Sequence, residues 1–228
     1  QIRRLNPESC VDDKKDINIL RNRMFYEAEQ TLLKNKDTNI AFIEAPTGAG
    51  KSNLAMNCSL KLLDKNINKI FYVYPFNTLV EQNYDTLEKI YGQTDIFKSI
   101  AVINSITPIP LNGTRKFWEN LDIEENEKFY QKALLDRQFL NYPFILTTHV
   151  NLFQIMFGCE REAAISFYQL AGSVVVLDEI QSYKNVLWTE IMMFLQCYSR
   201  LLNMKIIIMS ATLPDLSQLV DGKCNVVK

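Results

Sequence analysis

The chain has 228 residues, 47% hydrophobic and 22% charged, which is the composition of an ordinary globular domain able to bury its own core. Its 25 basic residues against 26 acidic ones exclude a global positive field as the means of holding a nucleic acid, so any such contact has to be local. Five scattered cysteines (Cys10, Cys58, Cys159, Cys197, Cys224) without a C-x-x-C pair argue against a disulfide framework or a zinc cluster and for reduced thiols in the cytoplasm. The apolar runs fall far short of the roughly 20 residues that span a bilayer.

In chain order, the first twenty residues are polar and read as a linker. A start at Gln1, with neither methionine nor signal peptide, leads us to expect a cut within a longer protein. INILRNRMFYEAEQTLLKN then carries apolar residues at helical spacing, and we assign residues 1–38 to a linker and lead-in helix. From Asn39 to Lys228 short β-branched runs alternate with helical patterns. The predicted strands are NIAFIEA, KIFYVYP, IAVIN, FILTT, SVVVLDE and KIIIMSAT; the predicted helices are SNLAMNCSLKLL, TLVEQNYDTLEKIY and LWTEIMMFLQCYSRLL. Nearly continuous apolar strands signal burial on both faces, hence an α/β domain whose mostly parallel sheet has helices on either side. A charged stretch over about 112–141, with an amphipathic helix in ENEKFYQKALLDRQFL, reads as a surface insertion whose charges are a solvated face or a docking surface.

Three segments carry chemistry. In NIAFIEAPTGAGKSNLAMN an apolar strand feeds a small-residue loop and then a helix, the context a phosphate-binding loop requires. The loop runs through Ala45, Thr47, Gly48, Ala49, Gly50, Lys51 and Ser52. Its glycines let successive N–H groups curl toward phosphate oxygens, Lys51 would reach the β and γ phosphates, and the Ser52 hydroxyl would ligate magnesium. Ala45 replaces the usual first glycine. The second segment, SVVVLDEIQ, ends a strand in two carboxylates at the sheet edge where open α/β folds bind ligands. There Asp178 can hold magnesium and Glu179 can polarise the attacking water, with Gln181 completing the box. In the third, KIIIMSATLP, the hydroxyls of Ser210 and Thr212 can couple that box to the γ-phosphate. It is the order of the three, each ending an apolar strand, that carries the reading of an RecA-like, ATP-hydrolysing domain fuelled by ATP and magnesium.

With APTGAGKS, DEIQ and MSATLP in that order, the chain resembles superfamily 2 helicases over Asn39 to Pro214. VYPFNTLVEQ, ILTTHVNLF, LDEIQSY and LWTEIMMFLQ look like the helicase portion of the CRISPR-associated helicase-nuclease of type I interference, an antiviral defence. The resemblance implies that Pro75, Phe76, Asn77, Thr147 and Thr148 line a track for single-stranded DNA, gripping it without reading sequence. Thr147 and Thr148 equally suit capping of the next helix. It also implies a second RecA-like domain, an HD-type nuclease domain elsewhere in the parent, and a CRISPR surveillance complex as recruiting partner. Alone, the fragment should turn over weakly, because an arginine finger from a second domain is worth about 10³ to 10⁵ in rate.

Three features depart from the family pattern. Gln181 stands where many relatives carry histidine. Met24 occupies the position of an adenine-reading glutamine, with Arg21, Arg23 and Gln30 as weak substitutes. One histidine, His149, is too few for the nuclease metals, and its side chain suits either contact with DNA or water or simple packing. Two other readings stay open: a superfamily 2 translocase of restriction or repair, and a nucleotide-gated docking module without motor activity.

Overall fold

The computed structural model describes residues 17–46, 48–94, 97–104, 123–159, 161–180, 188–211 and 225–227. Seven strands form one sheet in the order β3-β4-β2-β5-β6-β1-β7, and every pairing is parallel. They are β1 Ile40–Glu44, β2 Lys69–Tyr74, β3 Ile100–Ile103, β4 Phe144–Thr148, β5 Ser173–Leu177, β6 Lys205–Ser210 and β7 Asn225–Val227. The first six are the predicted strands. The three residues of β7, which pair with β1, are too few to show a periodicity in sequence.

Among the described residues seven α-helices accompany the sheet: α1 Ile17–Lys34, α2 Lys51–Leu62, α3 Asn77–Tyr91, α4 Ile123–Gln138, α5 His149–Phe157, α6 Arg161–Tyr168 and α7 Trp188–Leu201. Strand period sorts the core into two layers, because successive side chains point to opposite faces. Phe42, Phe71, Val73, Val175 and Ile208 meet Leu152 of α5 and Met192 and Leu195 of α7. Ile43, Ile70, Tyr72, Val174 and Met209 meet Leu54 of α2 and Val80 and Leu87 of α3. Truncating a fully buried ring such as Phe71 to alanine would cost about 3–5 kcal/mol.

Helix α1 joins the second layer through Ala28. Its Glu29 accepts a hydrogen bond from Asn57 at 2.8 Å and pairs with Lys61 at 3.1 Å, both on α2. Helix α4 lies within 112–141, and its Arg137 donates to the Asn104 carbonyl at 2.6 Å. Among the described residues no helix is long and apolar enough to cross a membrane. Because all strands are parallel, their carboxyl ends share one edge, and the chain leaving β1 passes over β6 and β5 to reach β2. Such an edge is where ligands enter open α/β sheets.

Candidate nucleotide site

The loop after β1 turns on two glycines. Gly48 has φ +78° and Gly50, which precedes α2, has φ +88°, a region where a side chain costs roughly 1–2 kcal/mol. A Cβ built at either position meets nothing within 4 Å, so open space lies beside both glycines. Ala45, buried, donates its N–H to the Ser210 carbonyl at 3.3 Å, and Ala49 closes a turn on the Pro46 carbonyl at 3.2 Å. Arg21 of α1 donates to the Gly48 carbonyl at 2.6 Å. The side chain named in sequence as a weak substitute for an adenine reader therefore holds the loop backbone, while Met24 packs against the second core layer.

Lys51 opens α2 and is buried, yet its ammonium makes no hydrogen bond among the described residues. It faces Glu179 Oε1 at 3.2 Å. Asp178 follows β5 and is also buried. Loss of water and the neighbouring Glu179 charge push its carboxyl up to about 6, against a smaller opposing pull from Lys51. Glu179 takes φ +50°, a left-handed backbone that a non-glycine residue seldom adopts. Ser52 is exposed at the start of α2.

Strand order explains the meeting. Strand β6 lies between β1 and β5, so Lys51 at the head of α2 arrives beside the pair after β5, with Ser210 buried at the end of β6 between them. Thr47, Gln181 and Thr212 lie outside the described residues. Sequence reading missed Tyr72 and Tyr74, whose rings stack at 4.7 Å. Ser52 is a polar neighbour of the Tyr72 hydroxyl, and Asp178 of both tyrosines; burial pushes both phenols up, joined by Tyr74 and then Asp178 at Tyr72 and by Asp178 at Tyr74. The signal was present in Y-V-Y, since period two puts both rings on the α2 side of the strand beside β5.

The other residues singled out collect where β2 and β4 end. Phe76 precedes α3 and is 61% exposed, with Pro75 and Asn77 half-buried beside it. Thr147 and Thr148 are both buried. The Thr147 hydroxyl donates to the Ile103 carbonyl at 2.5 Å and accepts from Asn151 Nδ2 at 2.8 Å, while Thr148 caps α5 by accepting the Asn151 N–H at 3.3 Å. Their hydroxyls hold this corner together internally.

This arrangement fits a magnesium nucleotide. The open space beside Gly48 and Gly50 can receive phosphates, the buried ammonium makes no hydrogen bond among the described residues, and the Ser52 hydroxyl and the Asp178 carboxylate are oxygen donors of the kind magnesium combines with phosphate oxygens.

Comparison with known proteins agrees with this chemistry. The family described as DEAD/DEAH box helicase matches residues 26–219. The CRISPR-associated nuclease/helicase Cas3 of Haloferax volcanii is 23% identical over 188 residues, covering 78% of this chain; the chain spans 19% of that protein's length. Among solved structures, T. fusca Cas3 with ADP has a TM-score of 0.56 at 19% identity, over 85% of this chain and 22% of that one. The DUF1998 helicase MrfA bound to DNA and AMPPNP has a TM-score of 0.57 at 17% identity, over 99% of this chain and 30% of that one. Both show a shared RecA-like fold.

Proposed function

Since the chain belongs to the DEAD/DEAH box helicase family, we propose that it is the first RecA-like domain of a motor that couples hydrolysis of magnesium-bound ATP to movement on single-stranded DNA, in type I CRISPR interference. The observation that carries this reading is the meeting of Lys51 with Glu179 at 3.2 Å, beside a buried Asp178 and a glycine-formed cradle. Buried, incompletely compensated charges of both signs are costly unless a charged ligand completes them.

The residues divide the work as follows. Backbone N–H groups around Gly48 and Gly50 bind phosphate oxygens, held in place by Arg21 on the Gly48 carbonyl. Lys51 neutralises phosphate charge, and Ser52 and Asp178 would hold magnesium, which when bound offsets the charge of the β and γ phosphates. Once phosphate oxygens take the Lys51 ammonium, Glu179 is released to orient a water and accept its proton. At the β2–β4 end, Pro75, Phe76 and Asn77 present the accessible surface for a strand, braced from beneath by Thr147 and Thr148.

The role in CRISPR interference and a nuclease in the parent are supported by the Haloferax relative, whose name combines nuclease and helicase, and room for a second RecA-like domain by the 19% of that protein's length this chain spans. The similar TM-score to MrfA supports a second reading, a DNA helicase outside CRISPR interference. The deciding test is magnesium-dependent ATPase of the parent protein, with and without single-stranded DNA, for wild type, Lys51→Ala and Glu179→Gln. DNA stimulation lost in both variants supports the motor. Hydrolysis indifferent to DNA and to both substitutions returns the domain to a nucleotide-binding or docking role.

A further inference from the structure

Strand β3 ends the sheet order, so its outer side meets no further strand among the described residues. The carbonyls of Val102, Ile103 and Asn104 at its carboxyl end are all taken by side chains. Ile103 accepts from the Thr147 hydroxyl at 2.5 Å and from Asn151 Nδ2 at 3.3 Å, both on the β4 side. Val102 and Asn104, on either side of it, accept from Arg137 Nη1 at 3.4 Å and Nη2 at 2.6 Å. One guanidinium thus spans two carbonyls of the edge strand.

Arg137 belongs to α4, inside the 112–141 stretch and outside the segments that resemble helicase motifs. It is half-buried, and no carboxylate pairs with it among the described residues. Asp136, beside it in sequence, accepts instead from Asn141 Nδ2 at 3.0 Å. Two carbonyl dipoles hold the group and leave its positive charge without a counter-charge, while loss of water pulls its pKa below the ordinary value. An arginine stays charged all the same, and these two carbonyls do not exhaust its five N–H donors. Holding two neutral carbonyls needs only a neutral amide, which costs less to desolvate. What a guanidinium adds is charge and a planar fork of donors that matches phosphate oxygens.

The place suits that addition. The carboxyl end of β3 lies one strand from Thr147 and Thr148 of β4 and two from Phe76 beyond β2. Neighbouring strands are about 4.8 Å apart, so a single strand of nucleotides running along this edge from Phe76 comes to Arg137 within about 10 Å.

We propose that Arg137 is a phosphate contact that carries the single-strand track from the ends of β2 and β4 onto β3, so that the 112–141 stretch adds to the grip on DNA. This rests on the motor reading above. The test measures binding of fluorescein-labelled oligo(dT) to the parent protein by anisotropy, from about 50 to 200 mM salt, with Tm followed alongside. Wild type is compared with Arg137→Lys, which keeps the charge, and with Arg137→Gln, which keeps an amide donor and removes the charge. Both replacements are good helix formers.

For Arg137→Gln, the expected result is affinity about tenfold lower at the low-salt end and a slope of log affinity against log salt shallower by about 0.7, the loss of one phosphate contact on a single strand. Arg137→Lys should keep the wild-type slope and most of the affinity. An unchanged slope in Arg137→Gln overturns the inference, whatever its Tm. So does an equal loss of affinity in both variants, since both shorten the clamp on β3 and only one removes the charge. If wild type itself does not bind oligo(dT), the track reading fails and this inference falls with it; normal wild-type binding with an unchanged slope in Arg137→Gln removes the inference alone.

Discussion

Two corners of the same sheet edge use similar residue types in opposite ways. Where β1 and β5 end, Lys51 is buried without a hydrogen bond, Asp178 is displaced upward by burial, and Gly48, Gly50 and Glu179 hold left-handed backbone. Where β2 and β4 end, Thr147 and Thr148 are as deeply buried, yet each hydroxyl is engaged within the domain and α5 is capped in ordinary extended geometry. The first corner is destabilised in a way a polyanionic ligand would relieve; the second is a finished scaffold. Residue type alone does not separate a binding group from a structural one. What separates them is whether the polar atom is already satisfied.

Several substitutions sharpen that contrast. The largest effect is expected from Glu179→Gln in the parent protein, which should lower DNA-stimulated ATPase by about 10² to 10⁴ while leaving nucleotide binding intact. A rise in KM with unchanged kcat would instead make Glu179 a binding residue. Gly50→Ala should cost about 1–2 kcal/mol in denaturant unfolding and weaken nucleotide affinity, because the added methyl has room and the penalty lies in the backbone. At the finished corner, Thr148→Ala removes a cap and should cost about 1 kcal/mol with no change in nucleotide affinity measured by fluorescent-analogue titration.

The smallest expected effect concerns the brace behind the first corner. Hydrogen bonding from Asn57, then Lys61, holds the Glu29 carboxyl below its ordinary value of 4.5. A depressed acid contributes stability that is complete above its unfolded value and lost as pH falls through the folded one. The gap between wild type and Glu29→Gln, followed by urea unfolding, should therefore be under about 1 kcal/mol at neutral pH and close as pH drops below 4.5. A gap that widened with acid would remove Glu29 as the link between α1 and α2.

The parallel sheet and the meeting of Lys51 with Glu179 were legible in sequence for the same reason. Runs such as SVVVLDE and KIIIMSAT are apolar enough to fix both burial and strand ends, and the chemistry sits on those ends. Lys51 and Glu179 are 128 positions apart in sequence, yet order along the chain and a shared sheet edge were enough to bring them together. Other features were hidden because they depend on side-chain reach between elements. Arg21 on the Gly48 carbonyl is a contact no periodicity encodes. Tyr72 and Tyr74 were visible as an alternation, but their nearness to Asp178 depends on which strand lies beside β2. The two alternatives for Thr147 and Thr148 meet a structure in which the capping role is present and the hydroxyls point inward.

The sheet order also bears on how the chain is made. Strand β1, which carries the phosphate loop, has β6 and β7 as its neighbours, and the Lys205 ammonium fastens to Asn39 across 166 residues of sequence. At translation rates of about 5–20 residues per second, the loop-bearing strand waits on the order of ten to thirty seconds after synthesis before a partner exists. Until then Phe42 and Ile43, buried on opposite faces of the finished sheet, have no neighbouring strand of their own to pair with. The corner where Lys51 meets Glu179 is therefore among the last parts of the sheet to be completed.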